Sequence, residues 1–237
     1  MQAQETFETK MAAQLPGTIV FCGHKKSGIK LLMRRTLEHM LDRPQSADDA
    51  EFMEVEIYMA SPDPVWTSVK DGRTQDSRIK FWISGIDRPP KPSDALMKRM
   101  DSETRPESHL IVVLQDHLNF FASGLWYHLM EHSSDYNVSF LIHSNMAPMM
   151  DEQRIVDARI EDNAHVAVIA WDASPEAREK VYKTFATSFG KQEDWEKHYQ
   201  KITSEPTPGA NAVVIEYGGI GNVAYGVSIP RVASLKK

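Results

Sequence analysis

The feature that most limits the fold is a repeated change of period along the chain. Short apolar runs alternate with longer stretches whose apolar residues recur every three or four positions. PGTIVFCG, residues 16–23, is a β-rich run closed by glycine. In the stretch that follows, Ile29, Leu32, Met33, Leu37 and Met40 fall at helical spacing, and Pro44 ends it. The same pattern predicts strands at 52–60, 78–85, 109–116, 137–145, 164–172 and 211–218, with 223–230 as an edge strand or hairpin partner. Helices are predicted between them: a short one within 61–72, then 93–103, 118–136, a short one within 148–162, 174–190 and 191–201. In the 174–190 helix Ser174 is the N-cap, Pro175 the first residue and Gly190 the stop. Strand and helix in turn predict an α/β fold, a doubly wound, mostly parallel sheet with helices on both faces. Such sheets bind ligands at the carboxyl ends of their strands, which selects Gly23, Gly85, Asp116, Asn145 and Asp172.

Composition narrows the function. A chain of 237 residues with 41% hydrophobic side chains can bury one full core, so we expect a single domain over 15–237 behind an N-terminal extension, 1–14. The net charge of −6 argues against a bulk electrostatic grip on nucleic acid, and any contact with DNA must come from a local basic surface. The single cysteine, Cys22, allows no disulfide within the chain and suits a soluble protein of a reducing compartment. No apolar run approaches the ~18 residues of a membrane span, and the amino terminus lacks the pattern of a signal peptide.

The candidate site begins at Gly23-His24-Lys25-Lys26-Ser27-Gly28, directly after a strand and directly before a helix. This is the setting of a phosphate-binding loop, G-x-x-x-x-G-K-[ST], where backbone N–H groups and a helix N-terminus form an anion nest. The two glycines are correctly spaced, but Ile29 and Lys30 stand where Lys and Ser/Thr belong. Lys25, Lys26 and Lys30 supply positive charge nearby. A plain strand–turn–helix connection with solvated lysines is the other reading of this stretch. HLIVVLQD, 109–116, is an apolar run ending in an acid, the pattern of a Walker B strand, with Gln115 and Asp116 at the two acidic positions. Asp116 is the candidate for Mg²⁺ or for the attacking water; its other reading is a cap on the next helix. Asn145 is a candidate sensor or a turn residue. Arg154 and Arg159, in an acidic segment, read either as solvated ion pairs or as a finger offered to a neighbouring subunit's phosphate. The histidines and Cys22 offer no evident metal-ligand spacing, and Lys98, Arg99, Arg73 and Arg78 are candidates for a DNA-facing surface.

Taken in order, these segments resemble the viral genome-packaging ATPases of the poxvirus, iridovirus and adenovirus-like type, within the FtsK–HerA group of P-loop motors. The resemblance covers roughly 15–218: GTIVFCGHKKSGIKLLMRRTLEHM, VEIYMASPDPVWTSV, IKFWISGIDRPP, HLIVVLQD, GLWYHLMEHSSDYNVSFLIHSN, ARIEDNAHVAVIAW and the closing FATSFG…NAVVIEYG. It implies ATP and Mg²⁺ as cofactors and a homo-oligomeric ring acting on double-stranded DNA beside a capsid or vertex protein, in the virion or the infected cell. On this resemblance residues 23–30 hold phosphate, Asp116 and Gln115 serve metal or water, Asn145 senses, and Arg159 or Arg154 acts in trans. Four positions depart from the family pattern: Ile29, Lys30, Gln115 and Ser144. They make a catalytically inactive relative with a structural or assembly role the alternative expectation. A generic P-loop protein unconnected with viruses is the third.

Overall fold

Alternation along single strands sets the architecture. The computed structural model describes residues 6–23, 27–42, 53–72, 76–84, 90–116, 124–144, 163–170, 175–204, 210–217 and 222–228. The elements in chain order are α1 (Phe7–Ala13), β1 (Thr18–Cys22), α2 (Ile29–Leu41), β2 (Met53–Met59), α3 (Pro64–Gly72), β3 (Ile79–Ile83), α4 (Asp94–Met100), β4 (His109–Gln115), α5 (Gly124–Glu131) and β5 (Val138–Ser144). They continue as β6 (Val166–Ala170), α6 (Pro175–Val181), α7 (Gln192–Ser204), β7 (Ala210–Glu216) and β8 (Val223–Ser228). Between α6 and α7 the chain widens into a π-helical turn, Tyr182–Ala186, and then tightens into a 3₁₀ turn, Thr187–Phe189, before Gly190 at φ 96°.

The strands form one sheet in the order β3-β2-β4-β5-β1-β6-β7-β8. Every pair from β3 to β6 is parallel, and β7 and β8 close the sheet antiparallel. Successive strand residues point to opposite faces, and each face has its own core. Val20, Val112, Leu114, Phe140 and Ile142 pack on one face with Leu96 of α4, Trp126 of α5 and Trp195 of α7. Ile19, Phe21, Ile111, Val113 and Leu141 pack on the other with Met11 of α1, Leu37 of α2 and Trp66 of α3. This is the expected doubly wound α/β fold. No helix of the described residues is long and apolar enough to cross a membrane.

The sheet order also locates the crevice. From β1 the chain crosses to β2 on one side, and from β5 it passes over β1 to β6 on the other. The carboxyl end of β1 is therefore a topological switch point, where such sheets place ligands.

Candidate functional site at the strand ends

The loop after β1 is shaped by two glycines. A Cβ on Gly23 would lie 2.6 Å from the Ala170 Cβ and 2.8 Å from the Ser27 Oγ, so only glycine fits against β6 there. Gly28 caps α2 in the left-handed region, φ 81°, a conformation that costs glycine little. Gly28 offers no side-chain cap, and the first turn holds no acid. The Ser27 Oγ accepts the Ile29 N–H at 3.4 Å, and the helix dipole favours an anion at this end. His24, Lys25 and Lys26 lie outside the described residues.

The two residues after Gly28 take different roles. Ile29 is 1% exposed and belongs to the core on the α2 face. Its side chain is committed to packing, so any part it takes in an anion nest falls to its backbone. Lys30 is also buried, at 8% exposure. Its ammonium points to two carboxylates, 2.9 Å from Asp63 Oδ2 and 3.2 Å from Asp116 Oδ2. Charge of this kind is buried only when it is paired.

Asp63 was not among the residues expected from sequence. It precedes Pro64 at the start of α3, where its Oδ1 accepts the Val65 N–H at 2.9 Å and its carbonyl accepts from Trp66 and Thr67. It is an N-cap, and the Ser-Pro-Asp-Pro stretch carried that signal. Gln115 ends β4 and donates from Nε2 to Asp63 Oδ2 at 3.0 Å and to Asp116 Oδ2 at 3.1 Å. Asp116 itself sits at φ 60°, a left-handed backbone that aspartate adopts more readily than most residues and that recurs at functional sites. Its N–H bonds the His143 carbonyl, and its Oδ1 meets His143 Nδ1 at 2.9 Å. His143 was also missed. Strand parity was the available signal, because Gln115 lies on the face of Ile111 and Val113, and His143 on the face of Leu141. Both are register partners and both face α2 and α3.

Electrostatics fix the protons. Burial pushes the Asp116 carboxyl up, but the His143 hydrogen bond, Lys30 and Gln115 outweigh it and hold the group well below the usual carboxylate range. Burial pushes His143 down, against the pull of Asp116, so the ring is neutral at pH 7. An ionised Asp116 only accepts, so the His143 proton sits on Nδ1. His143 Nε2 is then a buried acceptor, and it and Gln115 Oε1 have no hydrogen-bond partner among the described residues.

These donors do not suit Mg²⁺. The ion takes near-octahedral oxygen ligands, whereas Asp116, expected as its ligand, has both oxygens engaged, and the paired position holds an amide. Asn145, Arg154, Arg159, Gly85 and Asp172 lie outside the described residues, as does Arg73. Of the expected DNA-facing residues, Arg99 is 7% exposed and anchors Ser108, so it is a structural group. Arg78 is clamped by Asp76. The histidines do show one cluster: His128, Glu131 and His132 place ligand atoms within 4.8 Å of one another. Their hydrogen bonds to Tyr136 and Asp135 account for the arrangement.

No family model matches the chain, and no curated protein matches it. Solved structures do. The EssC ATPases 2 and 3 from Geobacillus thermodenitrificans match at TM-score 0.54 and 10% identity, over 93% of this chain and 41% of that one. The genome-packaging NTPase B204 from Sulfolobus turreted icosahedral virus 2, with ATP-gammaS, matches at TM-score 0.54 and 11% identity. That match covers 90% of this chain and 98% of B204. The chain thus spans less than half of the EssC pair and nearly all of B204. At these identities the likeness is one of fold, the doubly wound α/β sheet that this chain shares with both structures.

Proposed function

We propose that this chain is a subunit of a viral genome-packaging machine, forming a homo-oligomeric ring that binds ATP between subunits and moves double-stranded DNA. The observation that supports the reading best is the end-to-end fold likeness to B204, a genome-packaging NTPase. It is joined by a glycine-framed loop and a helix start free of acids at the topological switch point. In this reading Gly23 to Gly28 cradle the phosphates, with Lys25 and Lys26 as the cations of the loop. Asp116 and His143 orient the attacked phosphate's surroundings, Asn145 senses it, and Arg154 or Arg159 reaches the neighbouring subunit's nucleotide. The domain runs over 15–237, and a capsid or vertex protein is its docking partner in the virion or infected cell.

One observation favours a second reading, a hydrolytically silent relative that keeps the fold for assembly. Lys30 is paired to both carboxylates and Gln115 replaces an acid. ATP binding to the chain, followed by steady-state turnover with double-stranded DNA, separates the two. Binding lost in a Lys25→Ala/Lys26→Ala variant, with DNA-stimulated turnover lost in Asp116→Ala, is the motor result. Retained binding with background turnover is the silent result, and absence of ATP binding contradicts the motor reading.

A further inference from the structure

We propose that Lys30 is the resident cation of the strand-end site: its ammonium stands where the P-loop pattern puts a divalent metal, so the site works with triphosphate and no metal ion. The part concerning triphosphate rests on the nucleotide reading above; the part concerning Lys30 does not.

Position comes first. In G-x-x-x-x-G-K-[ST] the last residue gives its hydroxyl to the metal. Here that residue is Lys30, the second residue of α2 after the Gly28 cap. Its side chain therefore starts where a metal's ligand would start and ends on the acid of the Walker B strand.

Oxygen accounting comes second. A hard divalent cation needs carboxylate lone pairs. Asp63 Oδ1 takes the Val65 N–H, and Asp63 Oδ2 takes Lys30 and Gln115. Asp116 Oδ1 takes His143, and Asp116 Oδ2 takes Lys30 and Gln115. All four oxygens take an N–H donor, and the two Oδ2 atoms that face each other share the Lys30 ammonium, which a metal bridging the two acids must displace. The neutral Gln115 fits the same logic: with one ammonium present in place of a dication, one acid fewer is needed at the strand end. The departures at Lys30 and Gln115 then belong together, as a charge exchange that keeps the site closed.

The test uses the full chain and Mn²⁺, followed by the free-ion EPR signal, without nucleotide. Wild type is expected to leave the signal unchanged. Lys30→Thr restores the hydroxyl and frees both carboxylates; it is expected to bind one Mn²⁺ per chain and to gain thermal midpoint as Mn²⁺ is added. Lys30→Gln, closer in size, serves if the threonine variant does not fold. Mn²⁺ uptake by wild type that Asp116→Asn abolishes would overturn the proposal, as would folded Lys30 variants that take up no metal. In a second arm ATP affinity is measured in EDTA and in Mg²⁺. Affinities within twofold are expected, and a tenfold gain with Mg²⁺ contradicts a metal-free site. If ATP binds in neither buffer the nucleotide reading fails, while the Mn²⁺ arm still decides the role of Lys30.

Discussion

One face of the β4–β5 pair carries a buried histidine at each end, and the two ends are built by different rules. At the amino end His109 Nε2 and Ser139 Oγ share a 2.8 Å hydrogen bond, and the Ser139 Oγ also accepts the Gly17 N–H. At the carboxyl end, about 20 Å along the strands, His143 faces the ionised Asp116 beside Lys30 and Asp63. Each end has a left-handed residue, Asn137 at φ 50° and Asp116 at φ 60°. Asn137 spends its amide on the carbonyls of Pro106 and Glu107, with Arg105 on its Oδ1. That is ordinary turn chemistry. Asp116 uses the same backbone to present a charge, with two acceptors beside it left without partners among the described residues. Stability accounts for the first arrangement. The second concentrates buried charge and a left-handed backbone at the switch point, where sheets of this kind bind ligands.

The comparison can be broken by mutation. Lys30→Met should have the largest effect, about 3–5 kcal/mol by urea denaturation, because two carboxylates lose their counter-ion. Adding Asp63→Asn and Asp116→Asn should recover most of that loss, whereas a solvated Lys30 would predict little change in any of them. Next is acid sensitivity at the amino end. Burial, then Arg99 and Arg105, push His109 down to about 4 from its ordinary 6.5. The unfolded chain binds that proton first, so stability is full above pH 6.5 and falls as pH drops toward 4, by about 3 kcal/mol. A pH series of urea midpoints should show this slope in wild type and flatten in His109→Gln. Ser139→Ala should cost about 2 kcal/mol, since it strips partners from His109 and the Gly17 N–H. Asp116→Asn alone should cost about 1 kcal/mol at neutral pH, because Asp63 still holds Lys30. Its acid limb should also change: the depressed Asp116 carboxyl stabilises wild type above the ordinary carboxylate range, and that contribution is lost as pH falls below it.

The sequence carried the elements well and their neighbours poorly. Period changes located all eight strands, most plainly β1, β4 and β6, since buried parallel strands are continuous apolar runs. Nothing in the pattern places β5 between β4 and β1, because that order is set by long crossovers. The strand-end rule reached Asp116 but not its partners. Lys30 read as a spare phosphate cation because its two acids lie 33 and 86 residues away in sequence. Asp63 was hidden in a turn, although its place before Pro64 at a helix start was readable. Gln115 was read as the partner of Asp116 on the strand, but His143 was hidden by its neutrality, although parity put both toward α2. Arg99 read as surface because a charged residue on a helix usually is; here it crosses to Ser108 and is buried.

The most direct test of the account is a crystal of the chain grown with ATP and Mn²⁺, with diffraction measured at the manganese edge. The account predicts no anomalous peak between Asp63 and Asp116, and density for the Lys30 ammonium within hydrogen-bond distance of both. A manganese peak bound by Asp116, with Lys30 turned away, would contradict it.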